Sequence, residues 1–200
     1  KSLNNVKIKI AKDGEILAKG PNIMLGYYQN DSATNEVIDA DGWFHTGDIG
    51  EIDEDGFLKI TDRKKSLIVT SAGKNIAPAP LENTLLTSKY IDQVIVIGDK
   101  RNFISALIVP SYDLINANRI DSNKDSLSNE AIIDHPDVIA LIEEEIQTKM
   151  EKYSKFETIK KFKLLSQPFA IERGEMTPKM SIVRKKVISN YSDIIDNIYN

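Results

Sequence analysis

The chain has 200 residues, of which 41% are hydrophobic and 28% charged, with a formal net charge of -4. That balance is ordinary for a globular protein of roughly one or two domains, and it argues against nucleic acid as a general partner. Cysteine is absent and only two histidines occur, His45 and His135. Disulfides, Cys-ligated zinc, a thiol nucleophile and a Ser-His triad are thereby set aside, and no metal site is expected. No apolar run approaches the length of a membrane span, and the N-terminus carries no signal-peptide pattern. Lys1 is not a natural start, so the chain is expected to belong to something longer.

In chain order, Val6-Lys7-Ile8-Lys9-Ile10 alternates apolar and polar residues, the pattern of a half-buried strand. Asp13-Gly14 is a turn signal, and Glu15 to Lys19 reads as the second strand of a hairpin. Asn30-Asp31-Ser32 offers an N-cap for a short helix over Ala33–Ile38. Asp41-Gly42 turns the chain into Trp43-Phe44-His45-Thr46. Gly47 to Ile52 and Phe57 to Ile60 flank a hairpin turn at Asp53-Glu54-Asp55-Gly56. Trp43 is expected in the core or as a cover over the neighbouring loop.

Asp48 stands between two glycines, in Thr46-Gly47-Asp48-Ile49-Gly50. It reads either as a turn aspartate bonded to local backbone, or as a carboxylate whose two oxygens face the two hydroxyls of a ribose. The residues leave both readings open. After Ile60 the chain breaks into a charged cluster, Asp62-Arg63-Lys64-Lys65. An apolar run and a Gly-containing loop, Gly73-Lys74-Asn75-Ile76-Ala77-Pro78, follow.

Beyond that loop the pattern changes. A helix starts at Ala77-Pro78-Ala79-Pro80, with proline in its first turn. Ile91–Gly98 and Phe103–Pro110 read as buried strands joined by the turn Asp99–Asn102. A helix begins at Ser111, and Asp121–Ser126 is a polar loop. Val138, Leu141, Ile142, Ile146, Met150 and Tyr153 recur at helical spacing, which is the stripe of a core helix. Ile159 to Leu165 alternates as a strand. Val183, Val187, Tyr191, Ile194 and Ile198 predict one amphipathic helix closing the chain. Helices packed on a short sheet make this an α+β domain.

Several pieces occur in a familiar order and spacing: Gly14-Glu15-Ile16, Gly26-Tyr27-Tyr28, Gly42-Trp43-Phe44-His45-Thr46-Gly47-Asp48, Asp62-Arg63-Lys64-Lys65 and Gly73 to Pro78. Together they resemble the acyl-CoA synthetases and other adenylate-forming enzymes, most closely the long-chain fatty acid CoA ligases. The resemblance covers most of the chain and thins between Ser111 and Gln167. It implies a β-rich end of a large N-terminal adenylation domain over residues 1–63, followed by a mobile C-terminal lid domain over residues 64–200. The phosphate loop, acyl pocket and Tyr-Gly-x-Thr-Glu stretch of the family's N-terminal region are absent here. The resemblance therefore implies that this chain alone does not catalyse adenylation.

It further implies two half-reactions, with fatty acid, ATP, Mg2+ and CoA as ligands of the whole enzyme. Carboxylate and ATP give an acyl-adenylate and pyrophosphate; the C-terminal domain then turns, and the thiol of CoA attacks. Transferred by motif, Asp48 is the ribose-binding aspartate and Arg63 the arginine that reaches the nucleotide's ribose and phosphates. A guanidinium fits that role through its fixed fork of donors, whereas outside the family Arg63 reads as a surface partner of Asp62. Lys65 falls at the hinge position; without the family, Lys64-Lys65 reads as a solvated turn. Gly73 matches the glycine lining the pantetheine tunnel, where a side chain would block a narrow channel, and it equally suits a turn.

The family's catalytic lysine stands three residues after the proline of Met176-Thr177-Pro178, a position that Ser181 occupies here. Lys179, two residues earlier, is the substitute expected to meet the substrate carboxylate and the α-phosphate. Outside the family, Lys179, Arg184, Lys185 and Lys186 read as a solvated basic patch, or as a contact for CoA phosphates. Two other readings stay open: another adenylate-former, such as an aryl-CoA ligase or a peptide-synthetase adenylation module, and a non-catalytic lid module that binds nucleotide and CoA. The expected location is the cytoplasm, with a peripheral contact at the inner face of the membrane left open.

Overall fold

The computed structural model describes residues 3–118 and 128–200. The polar loop expected over Asp121–Ser126 lies outside them. The chain divides into two compact units, Lys1–Leu67 and Ile68–Asn200. Among the described residues no helix is long and apolar enough to cross a membrane.

The first unit is an antiparallel sheet of β1 (Lys7–Ile10), β2 (Glu15–Lys19), β3 (Phe44–Ile52) and β4 (Leu58–Arg63), in that order across the sheet. A short helix, α1 (Asp31–Val37), starts where Asn30 Oδ1 accepts the Ala33 N–H at 3.0 Å. The turn between β3 and β4 closes on Asp53, whose carboxylate accepts the Phe57 N–H at 2.7 Å. Trp43 is half-buried, with the Lys9 ammonium 4.1 Å from its ring centre.

Asp48 does not lie in a turn. It sits inside β3, the longest strand of the sheet, and the glycines that suggest a turn instead mark a bulge. The β2–β3 register runs from Glu15 opposite Ile49 to Leu17 opposite His45, so β3 spends four residues where β2 spends two. The surplus is taken up around Gly47, whose φ of +70° is costly for any residue with a Cβ.

The second unit opens with a small hairpin, β5 (Ile68–Val69) and β6 (Asn75–Ile76). Helix α2 (Pro78–Leu85) follows, with Pro78 and Pro80 in its first turn, where proline's missing N–H costs nothing. The central sheet pairs β7 (Ile91–Ile97) antiparallel to β8 (Ser105–Pro110), and β8 parallel to β9 (Lys161–Leu164). Every residue of β8 is buried, as its unbroken apolar run requires of a strand covered on both faces.

Alternation along β7 and β8 assigns the two faces. Two short helices, α3 (Tyr112–Asn118) and α4 (Asn129–Ile133), precede α5 (Pro136–Met150) in the chain. Val94, Val96, Ala106 and Ile108 pack with α2 and with α5, whose Val138, Ile142, Ile146 and Met150 form the buried stripe. Ile95, Ile97, Leu107 and Val109 pack instead with Phe169 and with α6 (Arg184–Asn190) and α7 (Ser192–Tyr199). The unit is therefore a sheet between two helical layers, an α+β fold in keeping with the sequence.

The closing helix differs from expectation, being two helices that meet at Tyr191. The run Ser189-Asn190-Tyr191-Ser192 is weak in helix propensity. Asn190 is drawn aside to donate to the buried Glu175 at 2.9 Å, and the Tyr191 ring stands edge-on to Phe169 at 6.0 Å.

Leu107 lies fully buried at the middle of β8 and fills the layer beneath α6 and α7. Truncating it removes apolar contact and leaves a cavity, so Leu107→Ala should destabilise the second unit by about 3 kcal/mol. Urea unfolding followed by tyrosine fluorescence would measure that loss, and a cost well under 1 kcal/mol would contradict the packing described.

Candidate functional site

Strand pairing brings together the two residues assigned to nucleotide binding. Asp48 on β3 stands opposite Arg63 on β4, and Arg63 Nε donates to Asp48 Oδ1 at 2.7 Å. Thr46 sets the bulge that aims Asp48: its hydroxyl donates to Ile16 O at 2.7 Å and accepts the Asp48 N–H at 3.1 Å. The Arg63 side chain is 71% exposed and that of Asp48 22%. An ion pair so open to water contributes less than about 1 kcal/mol. It can therefore be exchanged for a ligand at little cost. The surface pair with Asp62 does not form as read from sequence; Asp62 Oδ1 instead accepts the Arg63 main-chain N–H at 2.6 Å.

One cluster was not foreseen from the sequence. The Glu15 side chain is only 4% exposed, and three donors surround it. His45 Nδ1 lies 2.8 Å from Oε2, Lys64 Nζ 2.9 Å from the same oxygen, and the Gly47 N–H donates to Oε1 at 3.0 Å. Lys64 Nζ also meets Asp13 Oδ2 at 2.7 Å. Burial pushes the Glu15 carboxyl up, but the bonds from Lys64, His45 and Gly47 outweigh it and hold it below its ordinary value. The Lys64 bond likewise lowers Asp13, and the two carboxylates, Asp13 first, raise Lys64. Lys64 is thus not a solvated turn residue. The sequence signal was slight, an acidic residue opening a strand whose partners lie 30 and 49 positions away.

Lys64–Ser66 forms a single 3-10 turn at the end of β4. Lys65, the expected hinge, is exposed, and among the described residues its side chain has no hydrogen-bond or ion-pair partner. Gly73 lies in the second unit, in the turn joining β5 to β6, where Thr70 N donates to Lys74 O at 3.0 Å and Gly73 N to Thr70 O at 2.8 Å. Its φ is +72°, and a Cβ built there would meet nothing within 4 Å. Turn geometry alone therefore calls for glycine, and the space before it is open.

Lys179 stands at the exposed tip of another hairpin. Met176 and Ile182 pair as an isolated bridge, Thr177 N donates to Ser181 O at 2.8 Å, and Met180 N donates to Thr177 O at 2.8 Å. Ser181, where the resemblance expects the family's lysine, closes this turn through its backbone. The hairpin is rooted on Glu175, which is 1% exposed. Its carboxylate accepts from Arg173 Nε at 2.9 Å, Asn190 Nδ2 at 2.9 Å and Ala170 N at 3.1 Å, and its main-chain oxygen accepts from Val183 N at 2.7 Å. Burial raises the Glu175 carboxyl, and Arg173, Asn190 and Ala170 together bring it below its ordinary value.

Arg184 does not belong to a solvated basic patch. Its guanidinium donates to Glu82 Oε1 at 2.5 Å and to Val96 O at 2.6 Å, which ties α6 to α2 and β7. Lys185 and Lys186 are exposed, as expected. Among the described residues no group of three His, Asp or Glu side chains could hold a metal ion.

Comparison with known proteins identifies the family. Residues 65–200 match the family model described as the AMP-binding enzyme C-terminal domain. A long-chain-fatty-acid–CoA ligase of Mycobacterium tuberculosis, FadD15, is 41% identical over 194 residues, covering 96% of this chain and 32% of that protein. The long-chain-fatty-acid–CoA ligase ACSBG1 of Bos taurus is 36% identical over 204 residues, covering 93% of this chain and 28% of that protein. Among solved structures, the A domain of a carboxylic acid reductase from Segniliparus rugosus, in complex with AMP and a co-purified carboxylic acid, aligns at 25% identity. Its TM-score is 0.69, and the match covers 93% of this chain and 28% of that one. The chain thus spans about a third of the length of the curated relatives it matches.

The Glu15 cluster makes the stability of the first unit depend on pH at both ends. Glu15 and Asp13 are lowered, so their contribution is present above the ordinary values of 4.5 and 3.8 and is lost as pH falls through the folded values. Lys64 is raised, so its contribution is complete below 10.5 and is lost as pH rises through its folded value. At pH 7, Glu15→Gln should cost the first unit about 2 kcal/mol, since a charged hydrogen-bond acceptor is removed from beneath Lys64 and His45. Thermal unfolding of both proteins from pH 3 to 8 tests this: the difference should shrink toward the acid end, and a constant difference would contradict it.

Proposed function

The chain belongs to the AMP-binding enzyme C-terminal domain family, and from that premise we propose that it is the C-terminal portion of an AMP-forming long-chain fatty acid CoA ligase. In this reading the whole enzyme joins fatty acid, ATP and CoA into acyl-CoA, AMP and pyrophosphate through an acyl-adenylate. The observation that carries the reading is the Asp48–Arg63 pair, two groups suited to a ribose and a phosphate, held side by side by strand register. Once a nucleotide enters, the Asp48 carboxylate accepts from the two ribose hydroxyls, and Arg63 turns its fork of donors to the ribose and phosphate oxygens.

Lys179 supplies an ammonium to the fatty acid carboxylate and the α-phosphate as charge develops on the departing pyrophosphate. The residues from Lys65 onward then swing as a lid, with Lys65 as pivot, and Gly73 lines the path of the CoA thiol. In this reading Mg2+ accompanies ATP as a ligand of the whole enzyme. We place the enzyme in the cytoplasm, and membrane contact is peripheral where it occurs.

Three measurements test the reading. The 200-residue chain alone should show no fatty-acid-dependent exchange of pyrophosphate into ATP, while the polypeptide joining it to its N-terminal part should show it. Clear exchange by the chain alone would sink the division of labour. In that full polypeptide, Lys179→Ala should lower adenylate formation about 100-fold or more. Thioester formation from preformed acyl-adenylate should fall far less. Gly73→Leu should do the reverse, suppressing thioester formation and sparing adenylation; equal loss of both would mean misfolding at the positive-φ turn.

A further inference from the structure

The reading above needs a pivot, and a pivot needs fixed chain on either side of it. The structure holds both fixed ends. On the first unit, Lys64 Nζ is gripped by Asp13 at 2.7 Å and by Glu15 at 2.9 Å. Glu15 is in turn set by His45 and by the Gly47 N–H, and Gly47 is the bulge residue beside Asp48. On the second unit, Ile68 is 4% exposed in the core, and Val69 is bonded on both sides: its N–H to Asp99 Oδ1 at 3.2 Å and its oxygen to the Lys100 N–H at 2.8 Å. Only Lys65, Ser66 and Leu67 remain between the two grips, and none of them is fully buried.

We propose that Glu15 is a positioning residue that clamps Lys64 to the first unit, so that the turning of the lid starts at Lys65 and is confined to Lys65–Leu67. This deepens the ligase reading and rests on it for the lid's motion, but the clamp itself is a property of this chain. Three facts separate it from an incidental ion pair. The carboxylate is almost fully buried, so an unmet oxygen there is costly and the ammonium is held in place. The neighbouring Lys65 side chain is exposed and unpartnered among the described residues, so side-chain restraint ends at Lys64, and beyond it the turn is closed by the Leu67 N–H donating to Lys64 O at 3.3 Å. And the same Glu15 touches the bulge that aims Asp48, so the pivot's fixed end and the nucleotide carboxylate share one support.

Amine acetylation of the 200-residue chain, read residue by residue by tandem mass spectrometry, tests the clamp without reference to turnover. Lys65 should label at the rate of a free lysine and Lys64 at least about tenfold more slowly. Glu15→Gln should raise Lys64 labelling about tenfold and leave Lys65 unchanged, with far-UV circular dichroism reporting the fold. Asp13→Asn, a change at an exposed partner, should raise Lys64 labelling by a smaller factor and gives the answer if Glu15→Gln does not fold. Equal labelling of Lys64 and Lys65 in the unaltered chain, or no change in either variant, would overturn the clamp.

Its role in the turn is tested in the full polypeptide. There Asp13→Asn, which loosens Lys64 but leaves Glu15 and the bulge beside Asp48 in place, should slow thioester formation from preformed adenylate about fivefold while adenylation stays within about twofold. A merely structural role would lower both alike, and that result would overturn the positioning role. If the ligase reading itself fails, the unaltered polypeptide shows no adenylation, and the labelling result still stands or falls alone.

Discussion

A carboxylate taken out of water must be given donors, and among the described residues each unit of this chain shows one that is. Glu15 in the first unit and Glu175 in the second are almost wholly buried, and each is surrounded by three donors. The cost of leaving either one unmet is several kcal/mol. The donors come from loops and strand ends that would otherwise be free to wander. Around Glu15 these are the bulge before Asp48 and the turn after Arg63. Around Glu175 they are the segment before the hairpin and the end of α6. Both sets of candidate functional groups are thus displayed on chain that a buried charge has already fixed.

The contrast between paired charges sharpens the assignment. Arg63–Asp48 and Lys64–Glu15 are neighbours in sequence and similar in length, 2.7 and 2.9 Å. They differ in burial, since Arg63 and Asp48 keep 71% and 22% exposure while Glu15 keeps 4%. The exposed pair gives up less than about 1 kcal/mol when it opens, which suits groups that must release each other for a nucleotide. The buried one resists opening, which suits an anchor. In the proposed reading adjacent basic residues take opposite roles, and what separates them is the burial of the carboxylate that each one meets.

Much of the fold was legible because it depends on local periodicity. Alternation marks β1 and β9, the Asp13-Gly14 turn signal marks β2, the unbroken apolar run marks β8, and the helical stripe from Val138 to Met150 marks α5. The ordered motifs led to the right family. What was not legible depends on contacts between distant positions. Glycines on either side of Asp48 signal a turn locally, yet register with β2 makes the segment a bulged strand. Arg184 reads as one of a basic run, yet Glu82, 102 positions away, and the Val96 carbonyl claim it. Lys64 reads as solvated for the same reason. The closing helix broke at Tyr191 because a side-chain bond to Glu175 competes with helix propensity that is weak there.

The displaced lysine can be weighed by the same geometry. Two residues of extended chain span at most about 6.6 Å, and a hairpin turn brings them closer still. A lysine stem extends about 6 Å from its Cα and swings through many rotamers. Moving the ammonium from the Ser181 position to Lys179 is therefore within what the side chain can recover by itself. The backbone supplies the rest, because Ser181 closes the turn with Thr177 and Lys179 stands at its tip. The tip is free to present a charge while the closing position is held. In the proposed reading a lysine at the tip would reach its carboxylate target with more freedom, at a cost in side-chain entropy on binding. That asymmetry places the burden of precision on the root of the hairpin, which is where Glu175 is buried.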